Sequence, residues 1–206
     1  MTPELPVIFI VDDDEAVRDA LALHLELAGL TVRPCASAAE FLAVADPGQP
    51  GCAVLDIRMP GMDGLTLQQE MVQRGLTLPV IVMTGHGDVP AAVRAFRAGA
   101  VDFLQKPFDE DLLIERVHEA CERDRSARQA GIEAAGIRER TALLSPRERE
   151  VMELVAEGLP NKTIARRLDI GIRTVETHRG RVLEKMGARN ASELVRMLTR
   201  LEPGRG

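Results

Sequence analysis

Residues 54–64 read VLDIRMPGMDG, a short apolar run that ends on a single carboxylate, Asp56, and then breaks into proline and glycine. An apolar run bounded by turn residues predicts a buried strand, and Pro60 and Gly61 predict the turn that follows it. The stretch therefore places one carboxylate at the point where a buried strand ends.

The segments around this stretch alternate between two periodicities. Five apolar runs predict strands, over residues 7–11, 31–35, 53–57, 80–84 and 101–105. Segments with helical spacing separate them, at about 14–29, 37–45, 64–74, 88–98 and 109–123. Strict alternation of strand and helix predicts a parallel sheet covered on both faces, which is a flavodoxin-like, doubly wound α/β domain.

Polar residues stand at the ends of four of these strands. They are Asp12, Asp13, Asp14, Asp56, Thr84 and Lys106. Each has an ordinary structural explanation, since Asp14 can cap a helix, a threonine can bond the backbone and a lysine can be solvated. Together they predict a site, because ligands bind beyond the carboxyl ends of parallel strands.

The chemistry of this set favours a divalent cation. Asp12, Asp13 and Asp56 would bring three negative charges together, which Coulomb repulsion opposes unless a cation binds. Mg²⁺ prefers such oxygen ligands and bridges carboxylate to phosphate. Asp56 is the best candidate nucleophile for a phosphoryl group, with Lys106 and Thr84 available to hold the transferred oxygens.

Four motifs in this half carry a family resemblance. FIVDDDEAVRDAL, VLDIRMPGMDG, VIVMTGHGDV and AVDFLQKPF occur in order and resemble the receiver domain of two-component response regulators. The resemblance implies that a sensor histidine kinase phosphorylates Asp56. It also implies Mg²⁺ as cofactor, held by Asp13, Asp56 and the backbone carbonyl of Arg58, with Asp12 acting through water.

The same resemblance assigns further roles. Thr84 and Phe103 would form a switch pair, and the Lys106–Pro107 bond would be cis. Arg58 and His86 occupy positions that tune the lifetime of the acyl phosphate. Helix 88–98 and the strand after it form a surface that family members often use to dimerise on phosphorylation. The apolar stripe of Leu194, Val195 and Leu198 on the last helix is the alternative dimer surface.

Composition and charge divide the chain of 206 residues in two. Up to residue 137, 11 Lys and Arg stand against 22 Asp and Glu, whereas residues 138–206 carry 15 against 10. A basic second half hints at nucleic acid. Neither a long apolar segment nor a signal-peptide pattern is present, so we expect a cytoplasmic protein that does not meet the membrane. Three scattered cysteines, without a CxxC pair, predict neither a disulfide framework nor a zinc site.

The second half is predicted to be wholly helical. Ser145, Pro146 and Glu148 form the pattern of a capping box with proline at the first helical position. Two helices joined by a tight turn, within residues 161–187, predict a helix-turn-helix. The chain has no Trp or Tyr, and its five Phe all precede residue 109, so the second half has no aromatic side chain to stack single strands and duplex DNA is the expected ligand.

Residues 144–196 resemble the LuxR-type four-helix DNA-binding domain, and the chain as a whole resembles a FixJ-type response regulator. Position by position, the resemblance implies DNA contacts at Lys162, Arg173, Thr174, Glu176, Thr177, Arg179, Gly180, Arg181 and Lys185. Two departures stand out, since Gly171 lacks a capping hydroxyl and Gly180 lacks a base-reading side chain. Glu176 has an alternative role as an ion-pair partner of Arg173 or Arg179.

The predicted organisation is a receiver domain at 6–121, a helical linker at 122–139 and a DNA-binding domain at 140–204. A flexible tether is an equal alternative for the linker. The leading hypothesis is a transcription regulator that is not an enzyme beyond its own phosphotransfer and autodephosphorylation, and that dimerises when phosphorylated. RNA polymerase is a further candidate partner. The alternatives are a phospho-aspartate phosphatase and a degenerate receiver with constitutive DNA binding.

Overall fold

The computed structural model describes residues 5–85 and 89–201, with the backbone alone at Val89. The chain divides into two compact units, called here the first and second units. The boundary between them along the chain falls between Ala127 and Arg128. The boundaries predicted at 121 and 140 stay predictions. Across the described residues, every helix is too short or too polar to traverse a lipid bilayer.

The first unit contains a five-stranded sheet. Its strands are β1 (Val7–Val11), β2 (Thr31–Cys35), β3 (Gly51–Asp56), β4 (Val80–Thr84) and β5 (Asp102–Gln105). Their order is β2-β1-β3-β4-β5, and every neighbouring pair is parallel. The predicted doubly wound α/β fold is confirmed. Strand β3 is the middle strand of the five, and the strand order reverses between β1 and β3.

Five helices connect and cover these strands. They are α1 (Glu15–Leu27), α2 (Ala38–Val44), α3 (Gly64–Gln73), α4 (Val89–Arg97) and α5 (Glu110–Ala142). Asp14 caps α1 as predicted, and Ser37 caps α2, each by accepting hydrogen bonds from backbone N–H groups. Helix α5 covers the predicted segment at 109–123 and runs on through the stretch predicted as a helical linker at 122–139, because its Ala-, Glu- and Arg-rich sequence outweighs two interior glycines.

Two apolar cores lie on opposite faces of the sheet. Phe9 and Leu55 belong to the core shared with α2, α3 and α4. Ile8 and Val54 belong to the core shared with α1 and α5. Successive strand residues point to opposite faces, so both faces of β1 and β3 are apolar and their sequences read as continuous runs.

The second unit is built from the end of α5 and four further helices. These are α6 (Pro146–Ala156), α7 (Asn161–Leu168), α8 (Ile172–Met186) and α9 (Ala191–Thr199). Ser145 and Glu148 form the predicted capping box, and Pro146 occupies the first helical position. Ile137 from α5 is buried in the same core as α6 to α9. The all-α second domain is therefore confirmed.

The three cysteines are free thiols with different surroundings. Cys35 and Cys52 are buried, and Cys121 is partly exposed. Burial raises the pKa of Cys35 to about 11. The hydrogen bond between Cys52 and Cys121 raises the pKa of Cys52 well above its usual value and lowers the pKa of Cys121. The two thiols therefore differ in acidity.

Candidate functional site

Three polar side chains are buried at the carboxyl ends of the central strands. Asp12 follows β1 and is 2% exposed, Asp56 ends β3 and is 7% exposed, and Thr84 ends β4 and is 2% exposed. The parallel register aligns β1 with β3 and β3 with β4, so these strands end at one edge. The edge predicted from the strand-end residues is therefore formed by the sheet itself.

Lys106, which follows β5, joins the two buried carboxylates. Its Nζ lies 2.6 Å from Asp12 Oδ2 and 2.7 Å from Asp56 Oδ1. Burial alone would lower the pKa of Lys106, but the hydrogen bonds and charges of Asp12 and Asp56 outweigh it, so the pKa is raised above 10.5. The lysine stays charged, and one positive charge faces two negative ones.

The backbone fixes the remaining carboxylate oxygens. The Arg58 N–H donates to Asp56 Oδ2 at 2.6 Å, and the Asp14 N–H donates to Asp12 Oδ1 at 3.0 Å. Arg18 Nη1 donates to the carbonyl of Asp12 at 2.8 Å. Each carboxylate is thus held from two sides, which gives Asp56 a defined orientation at the strand end.

The assignment of three carboxylates as metal ligands stays a prediction. Asp13 is exposed, and the described residues contain no group of three His, Cys, Asp or Glu side chains arranged to hold a metal ion. Lys106 instead lies between the two buried carboxylates. The donor set still suits Mg²⁺, which binds proteins through one or two carboxylates and keeps several waters.

The other residues assigned from the receiver resemblance lie at or beside this edge. The Lys106 N–H donates to the Thr84 carbonyl at 2.7 Å, and the Lys106–Pro107 bond is cis. Phe103 lies in β5 beside Val82 and is partly buried. The side chain of Arg58 is exposed. His86 lies outside the described residues.

Gly64 also belongs to this site, although it was not among the site residues predicted from the sequence. A Cβ at Gly64 would lie 2.2 Å from the carbonyl oxygen of Asp56, closer than any real contact. Helix α3 begins at Gly64, so only glycine lets that helix start against the backbone of Asp56. The signal was present in the sequence as a glycine directly after Asp63, the residue that caps α3.

The second unit presents α8 as its exposed basic helix. Val175, Val182 and Met186 are buried and attach α8 to the core. The residues with exposed positions on α8 include most of the predicted DNA contacts, namely Arg173, Thr174, Glu176, Thr177, Gly180, Arg181 and Lys185. Lys162 on α7 is exposed as well. A helix with a buried stripe and a basic outer surface suits the major groove.

Local contacts refine this surface. Arg179 Nη1 donates a hydrogen bond to Asn161 Oδ1 at 2.8 Å, which connects α8 to the start of α7. Asn161 was not among the residues predicted from the sequence. Within the described part of the chain Glu176 forms neither of the ion pairs considered for it. Gly171 caps α8 without a side-chain hydrogen bond, as its lack of a hydroxyl predicted.

Lys185 has an internal partner that the sequence did not reveal. Its Nζ lies 2.7 Å from the Oε2 atom of Glu148 and 3.2 Å from the carbonyl of Leu143. The hydrogen bonds from Lys185 and from the Ser145 backbone lower the pKa of Glu148 to about 2. The predicted contact of Lys185 with DNA stays a prediction, and in the structure its ammonium group joins α8 to α6.

Comparisons with protein families match both units. The model of the response regulator receiver domain matches residues 8–118. The model of bacterial regulatory proteins of the luxR family matches residues 142–198. Neither comparison favours a phosphatase or a degenerate receiver.

Known relatives match this chain over almost its whole length. The transcriptional regulatory protein FixJ of Azorhizobium caulinodans is 50% identical, with 95% of this chain and 92% of the relative covered. FixJ of Rhizobium meliloti is 47% identical, with 92% and 93% covered. The solved structure of the response regulator StyR aligns with a TM-score of 0.82 at 38% identity, covering 95% of this chain and 99% of StyR. Full-length FixJ from B. japonicum aligns with a TM-score of 0.60 at 45% identity, covering 96% and 98%. The chain belongs to the two-component response regulators and is a FixJ-like transcriptional regulator with a receiver domain and a LuxR-type DNA-binding domain.

Proposed function

We propose that a sensor histidine kinase phosphorylates Asp56 and that this modification controls dimerisation and sequence-specific DNA binding. One observation carries the proposal. Asp56 is buried at the end of the central strand, with one oxygen bonded to Lys106 and the other to the Arg58 N–H. A carboxylate that is oriented and only partly neutralised is suited to attack phosphorus.

The transfer itself exchanges one bond for another. A carboxylate oxygen of Asp56 donates an electron pair to phosphorus, and the bond from phosphorus to the imidazole nitrogen of the kinase breaks with its electron pair leaving on that nitrogen. Asp56 loses its negative charge as the acyl phosphate forms. Lys106 then pairs with the new phosphoryl oxygens while keeping Asp12 as its second partner.

Magnesium fits this site through the chain's own oxygen ligands. Asp12, Asp13, Asp56 and the carbonyl of Arg58 are the candidate ligands. When bound, Mg²⁺ would neutralise negative charge shared by the carboxylates and the phosphate. Because Lys106 supplies a single positive charge to two carboxylates, the site retains the negative charge that attracts a dication.

The switch is assigned to Thr84 and Phe103. The hydroxyl of Thr84 would turn toward the phosphoryl oxygens, and Phe103 would move into the space behind it. This would bias the surface formed by α4 and β5 toward dimerisation. Val93 and Phe96 on α4 are 41% and 51% exposed, which leaves apolar area for a second copy to cover.

Dimerisation would present two copies of α8 to adjacent half-sites of an operator. Arg173, Arg181 and Lys162 are the proposed phosphate or base contacts, and Thr177 and Glu176 face the same groove. Arg58 and His86 are proposed to set how long the acyl phosphate lasts, and RNA polymerase is proposed as the partner of the bound dimer.

The test of phosphorylation uses mass spectrometry on the full chain incubated with Mg²⁺ and acetyl phosphate. Wild type should gain one phosphoryl group and Asp56→Asn none. Asp19→Asn, which changes an exposed carboxylate on α1, is the matched control and should be modified like wild type. An unmodified wild type would refute the proposal, and rapid release of free phosphate would favour the phosphatase.

The test of DNA contacts measures how affinity for duplex DNA depends on salt. Arg173→Ala should weaken binding and reduce the salt slope by about one, the effect of losing one phosphate contact. Arg33→Ala, on an exposed position of β2, should leave the slope unchanged. Equal slopes for wild type and Arg173→Ala would remove Arg173 from the interface.

A further inference from the structure

The turn between β1 and α1 is held at every polar atom of Asp12. The Asp12 N–H donates to the carbonyl of Cys35 at 3.3 Å. Its carboxylate oxygens accept from a backbone N–H at 3.0 Å and from Lys106 Nζ at 2.6 Å. Its carbonyl accepts from Arg18 Nη1 at 2.8 Å. That carbonyl belongs to the planar peptide group that joins Asp12 to Asp13, so Arg18 fixes the peptide between two candidate Mg²⁺ ligands.

Arg18 closes this turn at both ends from the first turn of α1. Its backbone N–H donates to the carbonyl of Asp14 at 3.0 Å, while its guanidinium group donates to the carbonyl of Asp12. Leu21 and Leu25 of the same helix are buried in the core. The side chain of Arg18 therefore connects the turn to a helix that is itself packed in place.

The charge of Arg18 is unfavourable where it stands. Within the part of the chain that the structure describes, its guanidinium group forms no ion pair, and its side-chain hydrogen bond goes to a neutral carbonyl. The positive end of the helix dipole disfavours a cation in the first turn of α1. A cation beside Asp12 would also repel a bound dication. Asp14 already caps α1, so the start of the helix does not depend on the guanidinium group.

We propose that Arg18 is a positioning residue for Mg²⁺, which holds Asp12 and Asp13 in place by fixing the peptide between them. The inference rests on the proposed binding of Mg²⁺ at this site. Groups that orient metal ligands from behind typically contribute about 10–100-fold to metal affinity. Loss of Arg18 would therefore have two opposite effects, since lost positioning weakens Mg²⁺ binding and lost repulsion strengthens it. The sign of the change distinguishes positioning from charge.

The experiment measures Mg²⁺ affinity of the full, unphosphorylated chain by isothermal titration calorimetry. Wild type is compared with Arg18→Met, and the matched control is Arg33→Met, which removes an exposed arginine of β2. Burial and Glu40 raise the pKa of Cys35 whereas the charges of Arg33 and Arg18 lower it, so both arginines lie near the end of β2. Arg18→Met should bind Mg²⁺ about tenfold more weakly than wild type. Arg33→Met should bind at least as tightly as wild type.

A second measurement separates metal positioning from a general structural role. Phosphorylation of Arg18→Met by acetyl phosphate should be slow at low Mg²⁺ and should recover to the wild-type rate at saturating Mg²⁺. A rate that stays low at saturating Mg²⁺ would refute the inference, because Arg18 would then act on something other than the metal. An equal loss of affinity in Arg33→Met would refute it as well.

The remaining outcomes keep this inference apart from the proposed function. If Arg18→Met binds Mg²⁺ as tightly as wild type or more tightly, positioning is refuted while the Mg²⁺ site stands. If wild type binds no Mg²⁺, the proposed site fails and this inference fails with it. If circular dichroism shows that Arg18→Met does not fold, Arg18→Lys replaces it. Lysine keeps the charge but lacks the rigid guanidinium group, so weaker Mg²⁺ binding supports positioning and unchanged binding refutes it.

Discussion

Each unit of the molecule contains a lysine that reaches a buried carboxylate from a distant part of the chain. In the first unit Lys106 serves two carboxylates, Asp12 and Asp56, whereas in the second Lys185 serves only Glu148. Glu148 is further satisfied by the capping box at Ser145. One lysine paired with one hydrogen-bonded carboxylate neutralises its charge and holds two helices together. One lysine shared by two carboxylates leaves a net negative charge that is available for chemistry.

The largest expected effect comes from Lys106→Met. Losing the shared cation leaves two buried carboxylates facing each other, for which the full cost of breaking a buried pair is about 3–5 kcal/mol. Because the Lys106 side chain is 24% exposed, solvent screens part of that cost. We expect a loss of about 2 kcal/mol in the free energy of unfolding of the first unit, measured by calorimetry on the full chain.

The stability of Lys106→Met should also depend on magnesium. Added Mg²⁺ should raise the Tm of Lys106→Met more than that of wild type, because the uncompensated carboxylates bind a dication more strongly. Lys185→Met is the matched control, and Mg²⁺ should not restore its stability, since it leaves a single carboxylate held by a helix cap. Equal responses of the two variants would remove the distinction between the two lysines.

The next effect is a dependence of the second unit on pH. The pKa of Glu148 is lowered from 4.5 to about 2, so between these values the unfolded chain binds a proton that the folded unit does not. Stability from this group is present above pH 4.5 and is lost as the pH falls toward 2. Thermal unfolding over this range should show a smaller slope for Lys185→Met, and an unchanged slope would contradict the assignment.

The smallest expected effect is a difference in Tm between two isosteric variants, Asp56→Asn and Glu148→Gln. Asp56→Asn leaves Lys106 with one carboxylate, so relief of like-charge repulsion should offset the lost ion pair and keep the Tm of the first unit within a few degrees. Glu148→Gln removes half of a balanced pair and should lower the Tm of the second unit by about 4–8 °C. A larger drop for Asp56→Asn than for Glu148→Gln would reverse the contrast.

The sheet could be predicted because each central strand is apolar on both faces. Few arrangements other than a parallel sheet covered on both sides produce this pattern. It predicted the edge that holds Asp56 because parallel strands deliver their ends together. It did not predict that Lys106 would bond both Asp12 and Asp56, since the direction of a long side chain depends on packing and charge. The pair of Lys185 and Glu148 was missed for the same reason.

Two further features depend on backbone geometry. The stretch at 122–139, for which a helical linker and a flexible tether were both considered, lies within α5, so its helix-favouring residues outweigh its two glycines. The requirement at Gly64 depends on the carbonyl of Asp56, a residue eight positions away, brought close by the turn between them. Contacts of this kind are specified by the fold, and the sequence shows only the glycine.

The paired thiols of Cys52 and Cys121 give the protein a natural attachment point for a spectroscopic label. A maleimide reacts with the thiolate, and among the three cysteines only Cys121 combines partial exposure with a lowered pKa. A brief reaction near neutral pH should therefore place one dye on α5 without removing any cysteine. The long helix that leaves the first unit could then be followed by fluorescence in the otherwise native chain.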